Sequence, residues 1–137
     1  MTLRVAVVSP EQEVYAGDAK MVVARGVAGD VGILSEHAPM LIQLAIHPLR
    51  IVHDDDSEEL VLVDGGFLNV TPGEEETRVD VLAEHAELAA EVDAAAARAR
   101  AEALQGQEEK SPEAEAELAK ATMRAEHGRG EGAPATR

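Results

Sequence analysis

The 137-residue chain contains no cysteine and no tryptophan, and its aromatic content is 1%, one tyrosine and one phenylalanine. The missing cysteine excludes disulfides, thiolate metal sites and cysteine nucleophiles. The near absence of aromatics removes the stacking platforms on which single strands or sugars are bound. Positive charge is also scarce, with 12 Lys and Arg against 27 Asp and Glu and a formal charge of −15. Such a field repels nucleic-acid phosphates and anionic lipid heads, so a basic partner fits better than DNA. Long apolar runs are missing as well. The uncharged stretch from Ala38 to Leu49 contains Pro39 and Pro48, well short of the roughly 20 apolar residues of a membrane span. No direct membrane insertion is expected, and the opening Met-Thr-Leu-Arg-Val-Ala-Val-Val has no leader-like pattern, so export is not expected either.

What is present divides into two materials. Val and Ile number 18 from Met1 to Ala83 and one, Val92, from Glu84 to Arg137. Branched side chains suit pleated sheets, whereas Ala and Glu favour helix. The division predicts a β domain over 1–83, a helical hairpin over 84–126 and a disordered tail over 127–137. In the first part Leu3, Val5 and Val7 alternate with Arg4 and Ala6, and Ser9-Pro10 ends the strand. A second run covers Val14 to Arg25, and turns are expected in the glycine-rich Gly26 to Gly32. Further strands are expected at Met40–Ile46, Leu49–His53, Leu60–Val63, Gly66–Val70 and Thr77–Leu82. Short strands at this spacing suggest a sandwich or flattened barrel.

Glu84 to Leu104 lacks Gly and Pro, and Leu88, Val92, Ala95, Ala99 and Ala103 recur at spacings of three and four. That stripe predicts one helix, stopped at Gln105-Gly106. Ser111-Pro112-Glu113 supplies cap, first position and first-turn acid for a second helix to about Glu126, with Ala114, Leu118, Ala121 and Ala125 on one side. Their seam is mostly alanine and poor in buried area, so a hairpin able to leave its dock is physically reasonable.

Candidate chemistry is sparse. Histidines 37, 47, 53, 85 and 127 lack the spacing that places two imidazoles on one helical face, and no metal site is read. Asp54-Asp55-Asp56-Ser57-Glu58-Glu59 neither alternates nor carries the glycine of a calcium loop, and it reads as a solvated hairpin turn. Gly26 to Gly32 lacks the Lys-Ser or Lys-Thr pair of a phosphate loop. Gly65-Gly66 reads as a bulge or tight bend. No nucleophile, base and oxyanion set converges, so no catalytic residue and no cofactor is assigned.

Several ordered motifs carry a resemblance: Leu3-Arg4-Val5-Ala6-Val7-Val8-Ser9-Pro10-Glu11, Val14-Tyr15-Ala16-Gly17, Gly29-Asp30-Val31-Gly32-Ile33-Leu34, His37-Ala38-Pro39-Met40-Leu41 and Asp64-Gly65-Gly66-Phe67-Leu68-Asn69-Val70. In this order the chain, from about Leu3 to Ala103, resembles the epsilon-subunit family of bacterial F-type, proton-translocating ATP synthases. The resemblance implies a flattened β-sandwich of about ten strands followed by an antiparallel helical hairpin. It implies a non-catalytic, peripheral subunit at the cytoplasmic face of the bacterial plasma membrane, bridging the gamma subunit of the central stalk and the ring of membrane subunits. Gly29, Asp30, Gly32, Ile33, Leu34, His37, Pro39, Met40 and Leu41 are then the expected partner contacts.

In relatives the hairpin extends toward the catalytic beta subunits and brakes ATP hydrolysis, which makes Arg98, Arg100, Lys120 and Arg124 the expected regulatory cations. Glu91, Glu102, Glu113, Glu115 and Glu117 dilute them, an argument against strong inhibition. Some relatives bind ATP through an Asp with Arg three and ten positions later. Asp93 matches, but those positions are Ala96 and Ala103, so weak or no ATP binding is expected unless Arg98 or Arg100 substitutes from another face. A freestanding β-sandwich binding a small ligand or basic peptide is the alternative left by the residues alone.

Overall fold

Alternation becomes structure most plainly in β1 (Thr2–Val8), where Leu3, Val5 and Val7 are fully buried and the residues between them are not. The computed structural model describes residues 2–107 and 111–130, and the chain divides into units over Met1–Leu88 and Ala89–Arg137. The first unit adds β2 (Glu13–Ala19), β3 (Met21–Gly26), β4 (Gly29–Leu34), β5 (Met40–Val52), β6 (Glu58–Thr71), β7 (Glu76–Ala83) and β8 (Ala86–Leu88). They form one eight-stranded sheet in the order β2-β1-β7-β6-β5-β3-β4, with β8 paired to β6. The β1–β7 pair is parallel and the other pairs are antiparallel.

The long β5–β6 hairpin turns this sheet into a flattened sandwich. Gly66–Thr71 of β6 pairs with β7, whereas Val61–Val63 pairs with β8. Between the two stretches the strand bends at Gly65 and Gly66, whose φ angles of 90° and 123° favour glycine. A Cβ on Gly66 would lie 2.2 Å from the Leu82 carbonyl oxygen, so the bend also needs an empty side chain. The core between the layers is aliphatic, with Leu3, Val5, Val22, Ile33, Leu49, Ile51, Val61, Leu68, Val79 and Val81 among its members.

Among the described residues there are eight strands where the resemblance implies about ten, and two breaks expected from sequence do not occur. Met40–Ile46 and Leu49–His53 are one strand, and so are Leu60–Val63 and Gly66–Val70. Pro48 is tolerated inside β5 because the β3–β5 ladder loses register between Val23 and Gly26, opposite Leu44 to Arg50, and no regular partner there requires its missing N–H. The glycines expected as turns behave differently too. Only Val27 and Ala28 separate β3 from β4, so Gly29 to Gly32 is strand. The acidic run does form the β5–β6 turn, closed by His53 N–H donating to the Ser57 carbonyl at 2.8 Å and Asp56 N–H donating to that of His53 at 2.9 Å.

The first helix starts later than the sequence suggests. Residues 86–88 are β8 and Ala89–Glu91 is one 3-10 turn, so α1 begins only at Ala94 and runs to Gln105. The Asp93 carboxylate fixes that start by accepting the Ala95 and Ala96 amides at 3.0 and 3.1 Å. Leu88 and Val92 therefore precede the helix, Ala95, Ala99 and Ala103 are exposed, and Ala101 and Leu104 are the buried positions. Helix α2 (Pro112–His127) starts as expected, with Ser111 Oγ accepting the Ala114 amide at 3.1 Å. Ala101, Leu104 and Ala121, with Leu118 beside them, form the seam of the hairpin. The tail expected from His127 is placed as far as Gly130 and hydrogen-bonded; its remainder, 131–137, lies outside the described residues.

Candidate functional site

The bend that closes the sandwich also sets which side chains stay outside. Leu68 and Val70 point into the core, so Phe67 and Asn69 face outward, and by the same parity Val79 and Val81 turn Leu82 out. Register then places Val8, Leu82, Phe67 and Gln43 side by side across β1, β7, β6 and β5. Leu41 lies on the same outer face, two residues from Gln43. Phe67 is 50% exposed, Leu82 61% and Leu41 67%, values that leave at least half of each residue in water. Farther along this face the residues are polar, with Arg78 donating to Asp80 at 2.9 Å and Asn69 to Thr71 at 3.2 Å.

Two shallow hollows border the apolar row. One, of about 540 Å³, is lined by Val8, Pro10, Gln43, Phe67, Leu82 and Glu84. The other, of about 350 Å³, lies between the β3–β4 turn and β5 and shares Gln43 with the first. Val27 N–H donates to the Gln43 carbonyl at 3.0 Å, which seats the turn against β5 and leaves Val27 65% exposed. Contiguous apolar surface of this kind marks an interaction face.

The contacts expected from sequence fall on an adjoining edge. Gly29, Asp30, Gly32 and Leu34 are exposed on the outer edge strand β4, and nothing lies within 4 Å of a Cβ built on Gly29 or Gly32. Arg25 Nε donates to Asp30 at 2.8 Å across the β3–β4 pair, and this bond holds the Asp30 carboxyl below its usual pKa. Ile33 departs from the expectation: it is fully buried beside Val22 and belongs to the core, so its side chain offers no contact. Pro39 and Leu41 are exposed, while His37 and Met40 are half-buried, Met40 against the core.

Glu36, with a φ of 67°, turns the chain between β4 and β5. Its amide donates to Thr77 Oγ1 at 2.9 Å, and the His37 amide donates to the Leu34 carbonyl at 3.2 Å. Thr77, fully buried, is thus the anchor of this turn, a role no local sequence signal announces. Phe67, Leu82 and Gln43 were also missed as surface residues, although counting strand parity from Leu68 and Val81 identifies the first two.

In the hairpin, Arg98 and Arg100 are exposed on α1. Lys120 pairs with Glu117 at 3.4 Å, and Arg124 donates to the Lys120 carbonyl at 3.2 Å near the helix end. The Asp93 carboxylate is occupied as the α1 cap.

Residues 2–102 match the family described as ATP synthase, Delta/Epsilon chain, beta-sandwich domain. A relative named ATP synthase epsilon chain from Exiguobacterium sp. is 40% identical over 92 residues, covering 67% of this chain and 65% of its own length. The chain of that name from Acidithiobacillus ferridurans is 48% identical over 99 residues, covering 72% of this chain and 67% of its own. The match to the Exiguobacterium chain thus spans just under two thirds of that relative. Among solved structures, a chain of the Euglena gracilis mitochondrial ATP synthase aligns with a TM-score of 0.76 at 17% identity, covering 89% of this chain and 78% of that one; at this identity the likeness is one of fold. With the sandwich, the helical hairpin and the family match in agreement, the chain belongs to the ATP synthase delta/epsilon family.

Proposed function

We propose that this chain is a non-catalytic central-stalk component of a proton-translocating ATP synthase at the cytoplasmic face of a bacterial plasma membrane. The sandwich docks on the stalk's gamma subunit and the ring of membrane subunits, and so couples rotation between ring and catalytic head. The observation that carries the proposal is the outward row Val8-Leu82-Phe67, with Leu41 on the same face of a sheet whose opposite face is core. A rigid, chemically inert face with exposed anchors suits a permanent protein contact, because aromatic and aliphatic anchors in fitted surfaces supply most of an interface's free energy. The edge made by Gly29, Asp30, Gly32, Leu34, His37, Pro39, Met40 and Leu41 is a second contact, toward ring and stalk. The formal charge of −15 favours attachment through partners over direct binding to anionic lipid.

The hairpin is the regulatory arm. Arg98 and Arg100 are the cations it offers to an acidic segment of a catalytic beta subunit, and acidic neighbours make the brake a weak one. The test is recovery of the tagged full chain from detergent-solubilised membranes. Co-recovery of the gamma and catalytic ATPase subunits supports the proposal, and recovery of the chain without them overturns it.

A further inference from the structure

The two helices of the hairpin are joined at one end by the connection between Gln105 and Ser111. At the other end, the segment entering α1 and the segment leaving α2 are themselves tied together. Arg129 N–H donates to the Ala89 carbonyl at 2.7 Å, and Gly130 N–H donates to the Val92 carbonyl at 2.9 Å. Asp93 and Gly130 form a parallel bridge. Gly128 N–H meanwhile donates to the Arg124 carbonyl at 2.8 Å and ends α2.

This approach is closer than any side chain allows. A Cβ on Gly130 would lie 2.7 Å from the Ala90 carbonyl oxygen, 2.8 Å from the Glu91 carbonyl carbon and 2.8 Å from the Val92 nitrogen. On Gly128 it would lie 2.6 Å from the Arg124 carbonyl oxygen and 2.9 Å from that of Val92. All of these are backbone atoms, which cannot swing aside. The Gly-Arg-Gly spacing therefore matches the groove it occupies: glycine where the backbones touch, and a long exposed side chain between.

We infer that Gly128-Arg129-Gly130 is a clasp that holds the helical hairpin shut, and that its release must precede any separation of α1 from α2. The argument rests on proportion. Among the described residues the seam cluster is Ala101, Leu104 and Ala121 with Leu118 beside them, half of it alanine, so its burial opposes opening only modestly; Met123 and Val92 are also buried in this unit. Two additional backbone hydrogen bonds that close the open end shift such an equilibrium about thirtyfold. Because they lie at the end opposite the interhelical connection, they must break before the helices separate from that open end. The clasp stands on contacts within Ala89–Gly130; only its consequence for ATP hydrolysis rests on the regulatory reading of the arm.

Amide hydrogen exchange on the full chain, on chains ending at Gly130 and at His127, and on Gly130→Val and Gly128→Ala tests the clasp. Exchange of the α2 amides and of Val92 should be unchanged in the chain ending at Gly130. It should be about thirtyfold faster in the chain ending at His127 and in Gly130→Val, with Gly128→Ala intermediate and the β-sheet amides unaffected. Equal exchange in all five proteins overturns the inference, as does equal loosening in both truncations. ATPase rates of complexes carrying these variants separate the two readings. Faster exchange with an unchanged ATPase rate leaves the clasp standing and removes the regulatory role of the arm.

Discussion

The buried hydroxyl of Thr77 accepts the amide of Glu36 at 2.9 Å, and through this bond strand β7 sets the position of the turn that leads into β5. Glu36 holds a φ of 67° there, a left-handed conformation that costs a non-glycine residue about 1 kcal/mol. Thr77→Val removes the acceptor while keeping the shape, and should destabilise the chain by about 1–2 kcal/mol. Thr77→Ser, which keeps the acceptor hydroxyl, should recover most of that loss, and Glu36→Gly should stabilise slightly. Urea midpoints measured at one pH decide among these; an unchanged midpoint in Thr77→Val means the bond contributes nothing.

Gly66→Ala tests the bend that makes the sandwich. The new methyl meets the Leu82 carbonyl at 2.2 Å from a residue with a φ of 123°. Steric overlap and backbone strain together should cost about 3 kcal/mol or more. Thermal unfolding should show a fall in Tm of at least about 10 °C. A Tm within 2 °C of the parent, on the order expected for a neutral surface change, removes the argument that β5 and β6 bend there.

The Arg25–Asp30 bond gives the β3–β4 hairpin a small pH dependence. Asp30 is depressed below the ordinary carboxyl value of 3.8 by hydrogen bonding and charge from Arg25, and Asp55 is depressed by its bonds from Ser57. A depressed folded-state carboxyl contributes stability that is present above the unfolded value and lost as pH falls through the folded one. Any loosening of these turns should therefore occur below pH 3.8 and not near neutrality. Both pairs are exposed, so screening keeps the effect small. Carboxyl-carbon NMR titration should give Asp30 a midpoint below that value in the parent and a higher one in Arg25→Gln.

The two-material division was legible because strand-forming Val and Ile stop almost completely after Ala83, and the start of α2 was legible because Ser111-Pro112 acts locally. The stretch from Glu84 to Val92 was not. Its Ala, Glu and Leu residues favour helix on their own, but pairing of Ala86–Leu88 with Val61–Val63 overrides that preference. The partner lies far away in sequence and leaves no local mark. Ile33 failed for a related reason: its motif belongs to an exposed edge, but strand parity turns this one side chain inward. The clasp at Gly128–Gly130 escaped notice because a glycine-rich segment without period reads as loose chain until the backbone it touches is known.

The exposed apolar row is the part of the proposed docking face that can be altered without disturbing the fold. Phe67→Gln and Leu82→Gln each remove an anchor from a position that is at least half exposed, so each should change stability by no more than about 0.5 kcal/mol. Leu68→Ala, one residue away and fully buried, should cost about 2–5 kcal/mol by leaving a cavity. Chemical denaturation of the three variants should show this contrast, and equal losses mean that the assignment of the two faces is wrong.

The most direct measurement is the affinity of the full chain for the ATP synthase complex from which this subunit has been removed, compared between the parent and the Phe67→Gln/Leu82→Gln double variant. Loss of two anchors, at about 1–2 kcal/mol each, predicts binding weaker by roughly 30-fold or more with unfolding unchanged. Equal affinity in parent and double variant contradicts the docking account.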